Sequence, residues 1–158
     1  MSRRIVLLAV AATLMLAVVA GVALARSFQC QNPDCFGTNN NDQIRERQGS
    51  GKQDDIHAEG GNDQVKARLF GNDTDVLRGN NGSDFLNAAD GDTRDVLLCG
   101  SGNRDFVVID VSRRSFDIFS RGCEQGRIVF SRGQTRPLDT SLAVSEEEAE
   151  AAAAAALK

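Results

Sequence analysis

The chain has 158 residues and a formal net charge of −4, and it holds neither tryptophan nor tyrosine. Past residue 25 its composition turns to glycine, asparagine and aspartate. No basic cluster with interleaved aromatics occurs, which argues against a nucleic-acid partner.

Residues 1–25 read as a secretory signal peptide. Arg3 and Arg4 precede an apolar stretch from Ile5 to Ala25, which ends in Ala23-Leu24-Ala25, a small-x-small cleavage pattern. About 20 apolar residues can also cross a bilayer, so membrane attachment is expected only if this segment stays uncleaved. Ser27, Phe28 and Gln29 before Cys30 do not make a lipobox, and no lipid anchor is expected there. The expected location is extracellular.

Four cysteines in an exported chain suggest two disulfides, with three possible pairings. Proximity favours Cys30–Cys35 and Cys99–Cys123. Neither pair has the C-x-x-C spacing of a zinc site. Residues 26–36 are expected to cap the domain that follows.

From residue 37 to residue 120 the chain repeats. Asp42, Asp63, Asp84 and Asp105 stand 21 residues apart, each followed two places later by an apolar residue: Ile44, Val65, Leu86 and Val107. A second column trails the first: Asp54, Asp75 and Asp117, with Ile56, Leu77 and Phe119 behind them. Asp95, one residue early and followed by Leu97, completes it. Glycine and asparagine gather where each copy must turn, as in Gly79-Asn80-Asn81-Gly82, because they tolerate left-handed backbone cheaply. The apolar residue two places after each aspartate lies on the aspartate's side of a short strand. One copy cannot bury its own apolar face, but stacked copies share a continuous core. The expected fold is all-β, a right-handed parallel β-solenoid of about four coils. Residues 121–136 should close its far end. The tail over residues 137–158, with Glu146-Glu147-Glu148 and an alanine run, shows no patterned apolar face and is expected to be disordered or a frayed helix.

Stacking places each aspartate about 4.8 Å from the next in its column. Two carboxylates at that distance repel by roughly 0.9 kcal/mol in water and about four times that at an effective dielectric near 20. A cation between them would remove the conflict. Carboxylates and loop carbonyls form a hard oxygen donor set that suits calcium, with its six to eight ligands, better than strictly octahedral magnesium. The competing reading is that the aspartates bond loop amides and close turns without a metal. Candidate calcium ligands are Asp42, Asp63, Asp84 and Asp105 in the stronger column. Asp54, Asp75 and Asp95 form the weaker one, where Lys52 or Arg94 could supply the positive charge instead.

The stretch Gly79-Asn80-Asn81-Gly82-Ser83-Asp84-Phe85-Leu86 resembles the hemolysin-type nonapeptide G-G-x-G-x-D-x-U-x of RTX proteins, and Gly60-Gly61-Asn62-Asp63-Gln64-Val65 resembles it nearly as well. The resemblance covers Gly37 to about Val107, and the flanking cysteines look like those of small secreted actinobacterial members. It implies a β-roll with calcium held between stacked loops by aspartate carboxylates and backbone carbonyls. The chain departs from the pattern in two respects. The second half of each coil is about three residues longer than a nonapeptide, and Thr38, Asn40, Lys52 and Glu59 replace glycines.

An enzyme is not expected. His57 is the one histidine, follows an inward apolar residue, and reads as a solvated strand-edge residue with no G-x-S-x-G motif to accompany it. The carboxylates repeat, whereas a glycosidase pair would be singular. Gly49-Ser50-Gly51-Lys52 lacks the spacing of a phosphate loop. Two functions remain: a calcium-binding extracellular repeat protein, or a calcium-independent solenoid that binds an extracellular or cell-surface polymer or a protein partner along a flat face.

Overall fold

The computed structural model describes residues 25–30, 34–46, 53–67, 73–91, 94–111, 116–130 and 133–158. All but the last residue of the expected signal peptide, together with Lys52 and the Gly49-Ser50-Gly51-Lys52 turn, lies outside these residues. Twelve strands are described: β1 (Ser27–Gln29), β2 (Asp34–Thr38), β3 (Gln43–Arg45), β4 (Asp55–Glu59), β5 (Gln64–Lys66), β6 (Val76–Arg78), β7 (Phe85–Asn87), β8 (Val96–Leu98), β9 (Phe106–Val111), β10 (Ile118–Phe119), β11 (Gln125–Phe130) and β12 (Thr135–Pro137). A 3₁₀ turn over Thr140–Leu142 and a helix α1 (Glu146–Ala156) follow.

The strands alternate between two sheets, ordered β1-β3-β5-β7-β9-β11-β12 and β10-β8-β6-β4-β2. Among the described strands every pairing between coils is parallel and the terminal β11–β12 hairpin is antiparallel, as is an isolated bridge between Val111 and Phe116. The chain is therefore a two-sided β-solenoid with coils of about 21 residues, as the aspartate spacing requires. In the larger sheet the register aligns Ile44, Val65, Leu86 and Val107. In the smaller it aligns Cys35, Ile56, Leu77, Leu97 and Phe119. These two rows face each other and make one core, in which Ile44, Ile56, Val65, Leu77, Leu86, Leu97 and Val107 have no exposed surface. At its C-terminal end the core opens into an apolar cavity of about 210 Å³ between Ile109, Phe119, Ile128 and Leu142.

The disulfides are Cys30–Cys35 and Cys99–Cys123, with Cα separations of 5.3 and 5.2 Å. Closing a loop of the second one's length stabilises by about 3 kcal/mol in the chain-entropy account.

Three segments differ from the sequence reading. The stretch expected as an N-terminal cap is part of the solenoid, because β1 pairs with β3 and β2 with β4. Cys35 stands in register with Ile56, so the disulfide occupies a core position and replaces the missing aliphatic contact. Beyond Gly122, β11 continues the large sheet against β9 before β12 turns back on it.

The tail is a docked helix. Ser145 and Glu148 form a reciprocal capping box at its start. Ala149 and Ala153, one turn apart, are fully buried against Val76, Val96 and Leu98 on the outer face of the smaller sheet. A stripe of alanines is apolar enough to bury and small enough to let the helix lie close to the strands. The two-faced runs Val76-Leu77 and Val96-Leu97-Leu98 belong to strands covered on both sides.

Candidate metal centre

Both aspartate columns are buried at the bends between the sheets, and each forms a hydrogen-bonded ladder. The Asp42 N–H donates to Asp63 Oδ1 at 2.7 Å, that of Asp63 to Asp84 Oδ1 at 2.8 Å, and that of Asp84 to Asp105 Oδ1 at 2.7 Å. Glu124 Oε2 ends the row by accepting from the Asp105 N–H at 2.8 Å. On the other side, Asp54 donates to Asp75 Oδ1 at 2.9 Å, Asp75 to Asp95 Oδ1 at 2.8 Å, and Asp95 to Asp117 Oδ1 at 3.2 Å. The two columns are thus built alike. Lys52 lies outside the described residues.

The ladder uses one oxygen of each carboxylate. Asp42 also fills its second, accepting from the Thr38 N–H and hydroxyl at 2.7 and 2.8 Å. In the next two coils Glu59 and Asn80 occupy that place with left-handed backbone, φ 75° and 65°. Oδ2 of Asp63, Asp84, Asp95 and Asp105 is buried with no hydrogen-bond partner among the described residues. Glycine lets these oxygens sit close: a Cβ on Gly79 would lie 2.6 Å from Asp84 Oδ2, and one on Gly82 would overlap the Gly61 carbonyl of the coil below at 1.5 Å.

Burial raises these carboxyls above their ordinary value of 3.8. Asp63 is pushed up to about 7 and Asp84 to about 6, with their column neighbours' charges adding to the burial and backbone N–H bonds opposing it. Asp54 rises to about 6 and Asp75 to about 8; after burial, the charges of Glu46 and Asp73 contribute to both. Asp95 rises furthest, through burial and then the charge of Asp117, with Asp90 and Asp75 adding to it. A buried oxygen of this kind holds a proton or a cation.

At the bend of the second column three carboxylates converge. Glu46 follows β3, Asp75 precedes β6 and Asp90 follows β7, and one oxygen from each lies within 4.8 Å of the others, all three residues being buried. Ionised together, three carboxylates at this distance would repel by roughly 3.5 kcal/mol per pair at an effective dielectric near 20. Of the sequence candidates, only Asp75 belongs to this group; the periodic search missed Glu46 and Asp90 because neither repeats. The signal for Glu46 was its place in a column that holds Ala67 and Ala88 in the following coils, where the same backbone bonds recur. A carboxylate where its counterparts are a partly buried and a buried alanine has a reason specific to that coil.

His57 lies on the outer face of β4, within a strand rather than at an edge of the sheet. Its Nε2 is 3.3 Å from Asp55 Oδ2 and its ring stacks on Phe36 at 4.8 Å between centroids. The chain matches no protein-family model, no curated protein and no solved structure.

Proposed function

We propose that the protein is an exported, non-catalytic repeat protein that takes calcium as a structural ligand, with Glu46, Asp75 and Asp90 as the residues that hold it. The observation that carries this reading is the convergence of three buried carboxylate oxygens within 4.8 Å. The donor set is oxygen alone, which suits calcium and disfavours zinc and copper. The unpaired Oδ2 atoms of Asp63, Asp84, Asp95 and Asp105 would supply further oxygens along the columns, as the RTX-like loop sequences imply. Bound calcium would supply positive charge, letting the buried carboxylates ionise without repelling. Two disulfides support the exported reading, and no described helix is long and apolar enough to cross a membrane.

The Oδ1 ladders favour a second reading, a solenoid whose aspartates close its turns without metal. Thermal unfolding in excess chelator and in millimolar calcium separates the two. Extracellular sites bind with dissociation constants of about 10⁻⁴–10⁻³ M, so 1 mM calcium stabilises by roughly 0.4–1.4 kcal/mol per site. The calcium reading predicts a melting temperature several degrees higher with the ion. Identical melts leave the turn-closing reading standing alone.

A further inference from the structure

The outer face of the large sheet carries two lanes along the solenoid axis. Strand register aligns Gln43, Gln64, Phe85, Phe106 and Gln125 in one. Two residues on, and so on the same face, the second lane holds Arg45, Lys66, Asn87 and Arg127, interrupted on β9 by Val108, which is only 2% exposed. Neither lane contains a carboxylate, on a chain whose net charge is −4. Asp110 falls beyond them on β9, where its Oδ2 accepts from the Gly91 N–H at 2.8 Å. At about 4.8 Å per strand the lanes run for about 19 Å from β3 to β11. On the outer face of the other sheet α1 lies over Val76, Val96 and Leu98.

We propose that this face binds a linear anionic polysaccharide laid along the axis. Arg45 and Lys66 on adjacent strands, with Arg127 at the far end, would meet the polymer's charges, and Gln43, Gln64, Asn87 and Gln125 its hydroxyls. Single-stranded nucleic acid fits less well, because it needs aromatic faces on which bases stack. Here Phe85 and Phe106 stack on each other, centroids 5.7 Å and planes 6° apart, between Gln64 and Gln125 in the same lane. None of these residues belongs to the carboxylate cluster, so the proposal stands independently of calcium.

The test is calorimetric titration of the purified protein with dextran sulfate and with neutral dextran, at one calcium concentration. Dextran sulfate should bind, more weakly as salt rises, and dextran should not. The triple variant R45Q/K66Q/R127Q should bind dextran sulfate at least about tenfold more weakly. The charge-matched R26Q/R104Q/R121Q, at three exposed positions off the strip, should stay within about twofold of the parent. Arg127→Gln alone, at an exposed position, should weaken binding about twofold to threefold, which keeps the test open if the triple fails to fold. Equal losses in the two triples, an unaffected Arg127→Gln, equal binding of neutral dextran, or preference for a single-stranded oligonucleotide would each overturn the proposal.

Discussion

The Asp63 N–H donates to Asp84 Oδ1 at 2.8 Å, so the carboxylate of one coil closes the turn of the coil before it. The same carboxylate keeps a second, buried oxygen that no described donor reaches. One atom ties the coils together and the other sets their dependence on protons and cations. Separate substitutions at residue 84 distinguish the two roles.

Asp84→Asn keeps an oxygen for the Asp63 N–H, whereas Asp84→Ala leaves that buried donor unpaired. An unpaired buried donor costs about 1–3 kcal/mol. Urea unfolding in chelator should place the alanine variant below the asparagine variant by that amount. Equal midpoints would mean that the ladder bond contributes nothing to folding.

Stability in chelator should fall as the pH rises. Folded Asp84, Asp63 and Asp117 sit at about 6, 7 and 7, against 3.8 for an ordinary aspartate. A carboxyl raised on folding holds its proton more tightly in the native state. Its contribution is therefore complete below about pH 4 and is lost as pH climbs through 6 to 7. Urea midpoints should be higher at pH 5 than at pH 8 without calcium, and the difference should shrink when calcium is added. A midpoint that rises from pH 5 to pH 8 in chelator would contradict the tightened hold of these buried carboxyls on their protons.

Removing α1 should expose an apolar patch. Val76, Val96 and Leu98 are at most 3% exposed beneath it, and re-exposing such side chains costs up to about 1.5–3 kcal/mol each. A chain ending at Ala143 should bind a hydrophobic dye and melt lower than the parent. Ala153→Asp should do much the same through a buried charge. Glu150→Gln removes only the negative charge from the 2.7 Å contact with Arg78, in which Glu150 is half exposed, and should shift stability by less than about 1 kcal/mol. Unchanged dye binding after truncation would show that the helix does not shield these strands.

Much of the fold was legible because a solenoid writes its geometry as periodicity. The 21-residue spacing of Asp42, Asp63, Asp84 and Asp105 gave the coil length, and the apolar residues behind them gave the core. The cysteine spacing gave both disulfides. What escaped was whatever occurs once. Glu46 and Asp90 sit in no column of acids, and only the stacking of coils brings them to Asp75. The α1 face escaped because alanine at positions 149 and 153 carries little hydrophobicity of its own. Its partner was written elsewhere, in the unbroken apolar run Val96-Leu97-Leu98.

Glu46→Ala offers the most direct test of the proposed cation site, since it installs the residue that the next two coils hold in that position. Thermal unfolding of this variant beside the parent, in excess chelator and in millimolar calcium, isolates the carboxylate's purpose. Calcium should raise the parent's melting temperature by several degrees and the variant's by much less. A variant stabilised by calcium as fully as the parent would contradict the placement of the ion at Glu46, Asp75 and Asp90.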